Sequence, residues 1–593
     1  MIVRRVLVFG CVITAAACSG NEPLKPPPAG GTCTLSPRVA LSGLSLASTG
    51  GSALGTAQAV TLSAADLGGC LTLAADGGRY VVVPQFATGV GPGASVPFEV
   101  AAQSDAAGRV VSPLASRTRV APTPPGLQAR LDATLREQEA ALAARAASAL
   151  ADWRLRGNIT AAALPAVGST RTFRVLRSLA GGTDSSAFAT DTAVLRYAGT
   201  NILIYVGQHA PAAPDGFTDA QLAAIGAQFD AELYDIDVRT FGAPSDVDGN
   251  GRVIVLMSPT VNALTPAAEC ASLGYVAGFF YGLDLTVNAP NSNRAEIFYA
   301  IVPDPAGTFS CAHTVAQADR VTPATFIHEF QHMISWNQHV LVRHGPSEAV
   351  WLNEGMSHIA EEMGARYYEH KYPAPLGRSD STLLFPDSAQ GFIIGDLYNA
   401  YAYLLNPEQW SITQFLHGGS LEERGGAWLF LRWLGDQQDS TVYARLEQTS
   451  LTGIANVQGA SGETLPSLFG DFSLALYADS LPGVPREVVA SRYRFRSRNL
   501  RVLFQSLYDA LQRSGQGSRA PRPFPILSTV LAAPASGSSS MVPGTPSYFV
   551  VQMPGSGAGA TLRFDQPGGT ALPAGIGAQV TVFRCPDIPG ACP

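Results

Sequence analysis

The hydrophobic pattern changes texture several times along the chain. Over 33–112, short apolar runs such as Tyr80-Val81-Val82-Val83 and Phe98-Glu99-Val100 stand among Gly, Ala and Ser and predict a small N-terminal β domain. Prolines between 122 and 125 then break the chain. Leu127, Leu131, Leu135, Leu142 and Leu150 follow at roughly helical spacing among Ala, Arg and Glu. They predict a helix inside a 113–164 linker, either a connector or an inhibitory propeptide helix. From 165, runs rich in β-branched and aromatic residues predict strands at 173–176, 193–197, 202–206, 253–257 and 297–302. Thr218-Asp219 caps a helix through Leu233. From 320 to 512 the pattern is mainly helical. A polar stretch at 513–525 reads as a linker. Runs at 547–552 and 578–583 predict a C-terminal β domain over 526–593. The expectation is an α+β fold: one domain over 165–512 with a mixed sheet followed by long helices, flanked by two small β domains.

A length of 593 residues allows three to five domains. With 46% apolar and 14% charged residues, the chain has material for a large core and is no disordered tail. A net charge of −7 provides no basic field for nucleic acid. Residues 1–17 have signal-peptide form: Arg4-Arg5, an apolar run over 6–13, then small residues. The run is too short to span a membrane. Ala15-Ala16-Ala17-Cys18 resembles a bacterial lipobox. The resemblance implies cleavage before Cys18, a lipid on its thiol, and a place in the bacterial cell envelope, at the outer membrane or cell surface. Residues 18–32, with Pro23 and Pro26-Pro27-Pro28, read as an extended tether. Six further cysteines fall in sequence-local pairs, one per expected domain: Cys33–Cys70, Cys270–Cys311 and Cys585–Cys592. The alternative is buried free thiols.

The chemistry concentrates in His328-Glu329-Phe330-Gln331-His332, an HExxH motif. Residues four apart share one helix face, so the two imidazoles can hold one Zn²⁺ while Glu329, displaced around the helix, reaches a water beside it. Thr322 and Pro323 suit the start of that helix. A catalytic zinc site needs a third protein ligand. The metzincin pattern asks for Gly at 335 and His at 338, where Ser335 and Gln338 stand. The gluzincin pattern takes a Glu from a second helix. In the stretch from Trp351 to Glu361, Leu352, Met356, Ile359 and Ala360 form an apolar stripe, and Glu354, His358 and Glu361 line another face. Glu354 is the candidate third ligand.

HEFQHMI followed by WLNEGMSHIAEE resembles the hyicolysin-type zinc metallopeptidases of bacteria, and more distantly the aminopeptidase N superfamily. The resemblance spans about 165–510. It implies a zincin-like fold, one Zn²⁺ on His328, His332 and Glu354, and Glu329 as general base. It further implies that Glu361 orients a ligand histidine. The aminopeptidases' Gly-x-Met-Glu-Asn segment, which captures a free amine, has no counterpart here, which points to an endopeptidase acting on protein or peptide. In zincins the substrate adds a strand beside the active helix, and the 296–302 run is either that edge or an internal strand. Tyr367, Tyr368, Tyr398, Tyr401, Tyr403 and His417 are candidates for an oxyanion donor, none preferred. Asp246-Val247-Asp248-Gly249-Asn250-Gly251 begins like a Ca²⁺ loop, but Met257 stands where an EF-hand needs Glu. Calcium and a tight acidic turn both remain open. The competing functional class is a cell-surface binding or scaffold lipoprotein with an inert zinc site, suggested by the flanking β domains.

Overall fold

The strand at 253–257 has five apolar residues in a row, and all five are buried. Such runs suit a parallel strand covered on both faces. In a computed structural model, which describes residues 57–67, 71–89, 91, 93–103, 125–155, 164–371 and 387–593, this strand lies inside a six-stranded sheet. The chain contributes first β1 (Ala59–Ser63), β2 (Thr72–Leu73), β3 (Arg79–Phe86) and β4 (Val96–Gln103). The six-stranded sheet follows: β5 (Thr170–Leu176), β6 (Phe188–Ala198), β7 (Ile202–Gly207), β8 (Val253–Met257), β9 (Gly278–Phe280) and β10 (Ile297–Ala300). Last come β11 (Thr529–Ala532), β12 (Ala535–Met541), β13 (Phe549–Gln552), β14 (Ala560–Asp565) and β15 (Ala578–Arg584).

The central sheet has the order β5-β6-β7-β8-β10-β9. β7, β8 and β10 run parallel, and β9 is antiparallel to β10. The 296–302 run is therefore internal, and the edge beside the HExxH helix is β9. Its three residues are too few to show a period.

Five helices build the site: α1 (Leu127–Leu155), α2 (Val315–Trp336), α3 (Val350–Lys371), α4 (Asp387–Leu405) and α5 (Leu421–Gln437). α2 begins earlier than Thr322-Pro323 suggests. Thr314 and Gln317 form a capping box, and Pro323 lies within the helix. Thr322 turns its hydroxyl back to the Ala318 carbonyl at 2.7 Å. Phe326 of α2 packs edge-on against Phe298 of β10, with ring centroids 5.2 Å apart, and so docks the HExxH helix on the sheet. Thr218 caps its helix as expected, but a π-turn at Phe229–Leu233 carries the helical path on to Thr240.

The two flanking β domains are one. Strands β1-β15-β3-β13-β11 form one sheet and β12-β4-β14-β2 another, so strands from both ends of the described chain interleave in each. β3 is flanked by β15 and β13, and β4 by β12 and β14. Phe86, Phe98, Phe549 and Phe564 interlock between the sheets, their nearest ring centroids 5.5–6.4 Å apart. Neither segment alone covers its apolar faces, which is why each completes the other. The bridges Cys270–Cys311 and Cys585–Cys592 are formed. Cys33, Cys70, Cys18, the leader and the tether lie outside the described residues. The 513–525 stretch packs on the helices, with the Tyr401 hydroxyl donating to the Arg522 carbonyl at 2.5 Å.

Candidate metal centre

His328, Glu329 and His332 occupy buried turns of α2, and α3 crosses them with Glu354 facing in. The Nε2 of His328 lies 3.8 Å from Glu354 Oε2, and the Nε2 of His332 lies 3.7 Å from Glu354 Oε1. Tetrahedral donors about 2.0–2.1 Å from a zinc ion stand about 3.3 Å apart, so the three side chains need to close only slightly on one ion. Glu354 is completely buried, and its Oε1 meets no hydrogen-bond donor. A buried acceptor left bare is costly, and a cation between it and two imidazoles satisfies it. The donor set of two imidazoles and a carboxylate fits zinc.

Each imidazole is aimed from behind. His328 Nδ1 meets Glu361 Oε1 at 2.7 Å, and His332 Nδ1 meets Asn353 Oδ1 at 2.5 Å. Both contacts place a proton on Nδ1, which makes Nε2 the nitrogen with a lone pair to offer a metal; Ser357 Oγ lies 3.2 Å from the Nε2 of His332. Asn353 directly precedes Glu354, so one turn of α3 supplies both a donor and the support of another. His339, one residue out of step for a metzincin, is buried beside Glu348 and Glu447, away from the cluster.

Glu354 Oε2 accepts from Arg424 Nη1 at 2.6 Å, and Arg424 Nη2 also reaches Asp132 of α1 at 2.8 Å. Burial pushes the Glu354 carboxyl up, but Arg424 and the two imidazoles outweigh it and hold it well below the usual carboxylate range. Burial disfavours charge on His328 too, yet Glu354 and Glu361 hold its pKa well above the ordinary value. Glu329 receives the Phe280 amide of β9 on Oε2 at 2.8 Å, and burial pushes it up to about 8. A bound dication works in the opposite direction.

Helix α1 is part of this site and not only a connector. Its Gln128 accepts from the Ala277 amide and donates to the Gly278 carbonyl, both at 2.9 Å. Arg136 donates to the Phe280 carbonyl and Glu139 accepts from the Gly282 amide, both at 2.7 Å. These side chains occupy the outer edge of β9.

A cavity of about 630 Å³ opens over His328, Glu329, His358 and Glu361. Gly126, Gln128 of α1 and Tyr275 form part of its wall. His358 Nδ1 faces Asp396 at 2.8 Å and Glu361 at 3.1 Å. None of the six oxyanion candidates lines the cavity. Tyr401 is held by the 513–525 stretch, Tyr368 donates to Glu232, and His417 sits 3.4 Å from Glu423. The chain is 31% identical over 172 residues to the neutral metalloprotease ShpI of Staphylococcus hyicus. That alignment covers 29% of this chain and 36% of the relative, so the chain spans about a third of the protein it matches. No protein-family model matches the chain. Sequence reasoning missed Asn353, Arg424, Asp132, Asp396 and the Phe280 amide. Arg424 and Asp132 stand 70 and 292 residues from their partners, with no local pattern to reveal them.

Proposed function

We propose that the protein is a zinc-dependent endopeptidase of the hyicolysin type, exported and held at the bacterial envelope by a lipid on Cys18. The observation that carries the catalytic reading is the buried Glu354 carboxylate, whose bare Oε1 lies 3.7 Å from His332 Nε2 while His328 Nε2 lies 3.8 Å from its Oε2. The likeness to a metalloprotease supports it, as do the HExxH and NEG motifs. When bound, the ion supplies positive charge that acidifies a water and polarises a carbonyl.

The chain does the rest. Glu329, with Oε2 anchored by the Phe280 amide, takes the water's proton on its other oxygen. The water oxygen bonds to the peptide carbon. As the carbon–nitrogen bond breaks, Glu329 returns the proton to the leaving amine. His358 is backed at Nδ1 by Asp396 and Glu361, so its Nε2 is the donor for the developing oxyanion. Because α1 occupies the β9 edge, the substrate is held by the cavity walls and not by strand addition along 296–302.

The test pairs zinc analysis with casein hydrolysis by wild type and Glu329→Ala. One zinc per chain in both, with hydrolysis only in wild type, is the expected result. Equal behaviour of the two would leave an inert scaffold as the better reading. Palmitate labelling that disappears in Cys18→Ala tests the anchor.

A further inference from the structure

A second group of carboxylates gathers where the loop before β8 meets the start of β10, and shares no residue with the HExxH cluster. Asp246 and Asp248 sit in the loop leading into β8, and Glu296 immediately precedes β10. One oxygen from each of the three falls within 4.8 Å of the others. Glu296 is 1% exposed. Its Oε1 accepts from the Ser245 hydroxyl at 2.6 Å and the Val247 amide at 2.8 Å, while its Oε2 is buried and meets no donor. A fully desolvated carboxylate oxygen with nothing to accept, beside two further acids, is where a cation would be stabilised.

We propose that Asp246, Asp248 and Glu296 form a calcium site, distinct from the catalytic cluster, which ties the β7–β8 connection to β10. The loop supplies acids at its first and third positions, Asn250 at its fifth, and a glycine at its sixth, Gly251, with φ +64°. The carboxylate absent at Met257 arrives from the neighbouring strand. Parallel pairing sets Ile297 beside Ile254, and the Ile254 amide bonds to the Glu296 carbonyl at 2.6 Å. An all-oxygen set spread over this distance suits calcium, with bonds of about 2.3–2.6 Å, better than magnesium, which draws its ligands closer. Without a cation, burial leaves the Glu296 carboxyl raised to about 7.

The inference does not depend on peptidase activity, and its test reads stability and stoichiometry. Full-length, zinc-loaded protein is stripped of calcium with a calcium-selective chelator. Thermal unfolding and calorimetry then follow titration with calcium chloride up to the millimolar range typical of extracellular sites. The expected result is one calcium per chain and a rise in Tm of several degrees. Glu296→Gln keeps a carbonyl for Ser245 and Val247, so it should raise Tm in calcium-free buffer and abolish the calcium response. Asp248→Asn should abolish the response as well. Zinc content should be the same in all three proteins. A wild-type Tm that does not move with calcium, or a shift that survives in both variants, would overturn the proposal.

Discussion

In the proposed mechanism Glu329 has to act as a base while buried, without itself ligating the ion. One hydrogen bond reconciles these demands, because the Phe280 amide holds Oε2 at 2.8 Å and leaves the other oxygen to work. Glu329→Gln should keep zinc and lower turnover by about 10²–10⁴-fold, measured on casein with metal content checked in parallel. Glu361 acts through His328, so Glu361→Gln should weaken zinc binding by about 10–100-fold in a chelator competition. Asp284 shows how burial makes stability depend on pH. It accepts from the Tyr299 hydroxyl at 2.6 Å and the Asn293 amide at 2.7 Å, and burial pushes it up to about 7. The folded pKa lies above the unfolded value of about 3.9, so between the two the native state holds the extra proton. This group's contribution is therefore full at low pH and declines as pH rises through about 7. Asp284→Asn should flatten that decline, read as a smaller drop in urea midpoint between acidic and mildly alkaline buffer.

At the scale of elements, α1, α3 and α5 are joined through Arg424, which spans Asp132 and Glu354. Removing the guanidinium strands two buried carboxylates. Arg424→Met should cost the metal-free protein about 3–5 kcal/mol in denaturant unfolding, and zinc should restore part of it. Elements whose own residues carry their pattern were legible in the sequence. β8 was, because all five residues are apolar, and so was the polar face of α3, because Glu354, His358 and Glu361 repeat at helical spacing. The start of α2 was misplaced because Thr322-Pro323 imitates a cap, although the capping box belongs to Thr314. β12 reads Ala-Ser-Gly-Ser-Ser-Ser-Met and has no strand propensity; it is a strand because it lies along β4. The edge at β9 and its occupation by α1 rest on contacts nearly 150 residues apart.

At the scale of the molecule, the β sandwich leans on the helical region. The Tyr548 hydroxyl donates to the Ser473 carbonyl at 2.8 Å, and Gln579 Nε2 donates to the Pro466 carbonyl at 2.8 Å. A truncation before residue 526 removes both neighbours of β3 and both of β4. It should expose apolar strand faces and yield aggregated protein, seen as loss of the soluble species in size-exclusion chromatography. The interleaving also sets an order of events during synthesis. A nascent chain emerging from the ribosome carries β1–β4 bare until some 480 later residues have followed, the gap between Thr61 and its partner Thr581 being 520. Until then these early strands need shelter from their own kind, and their burial comes only when the last strands arrive.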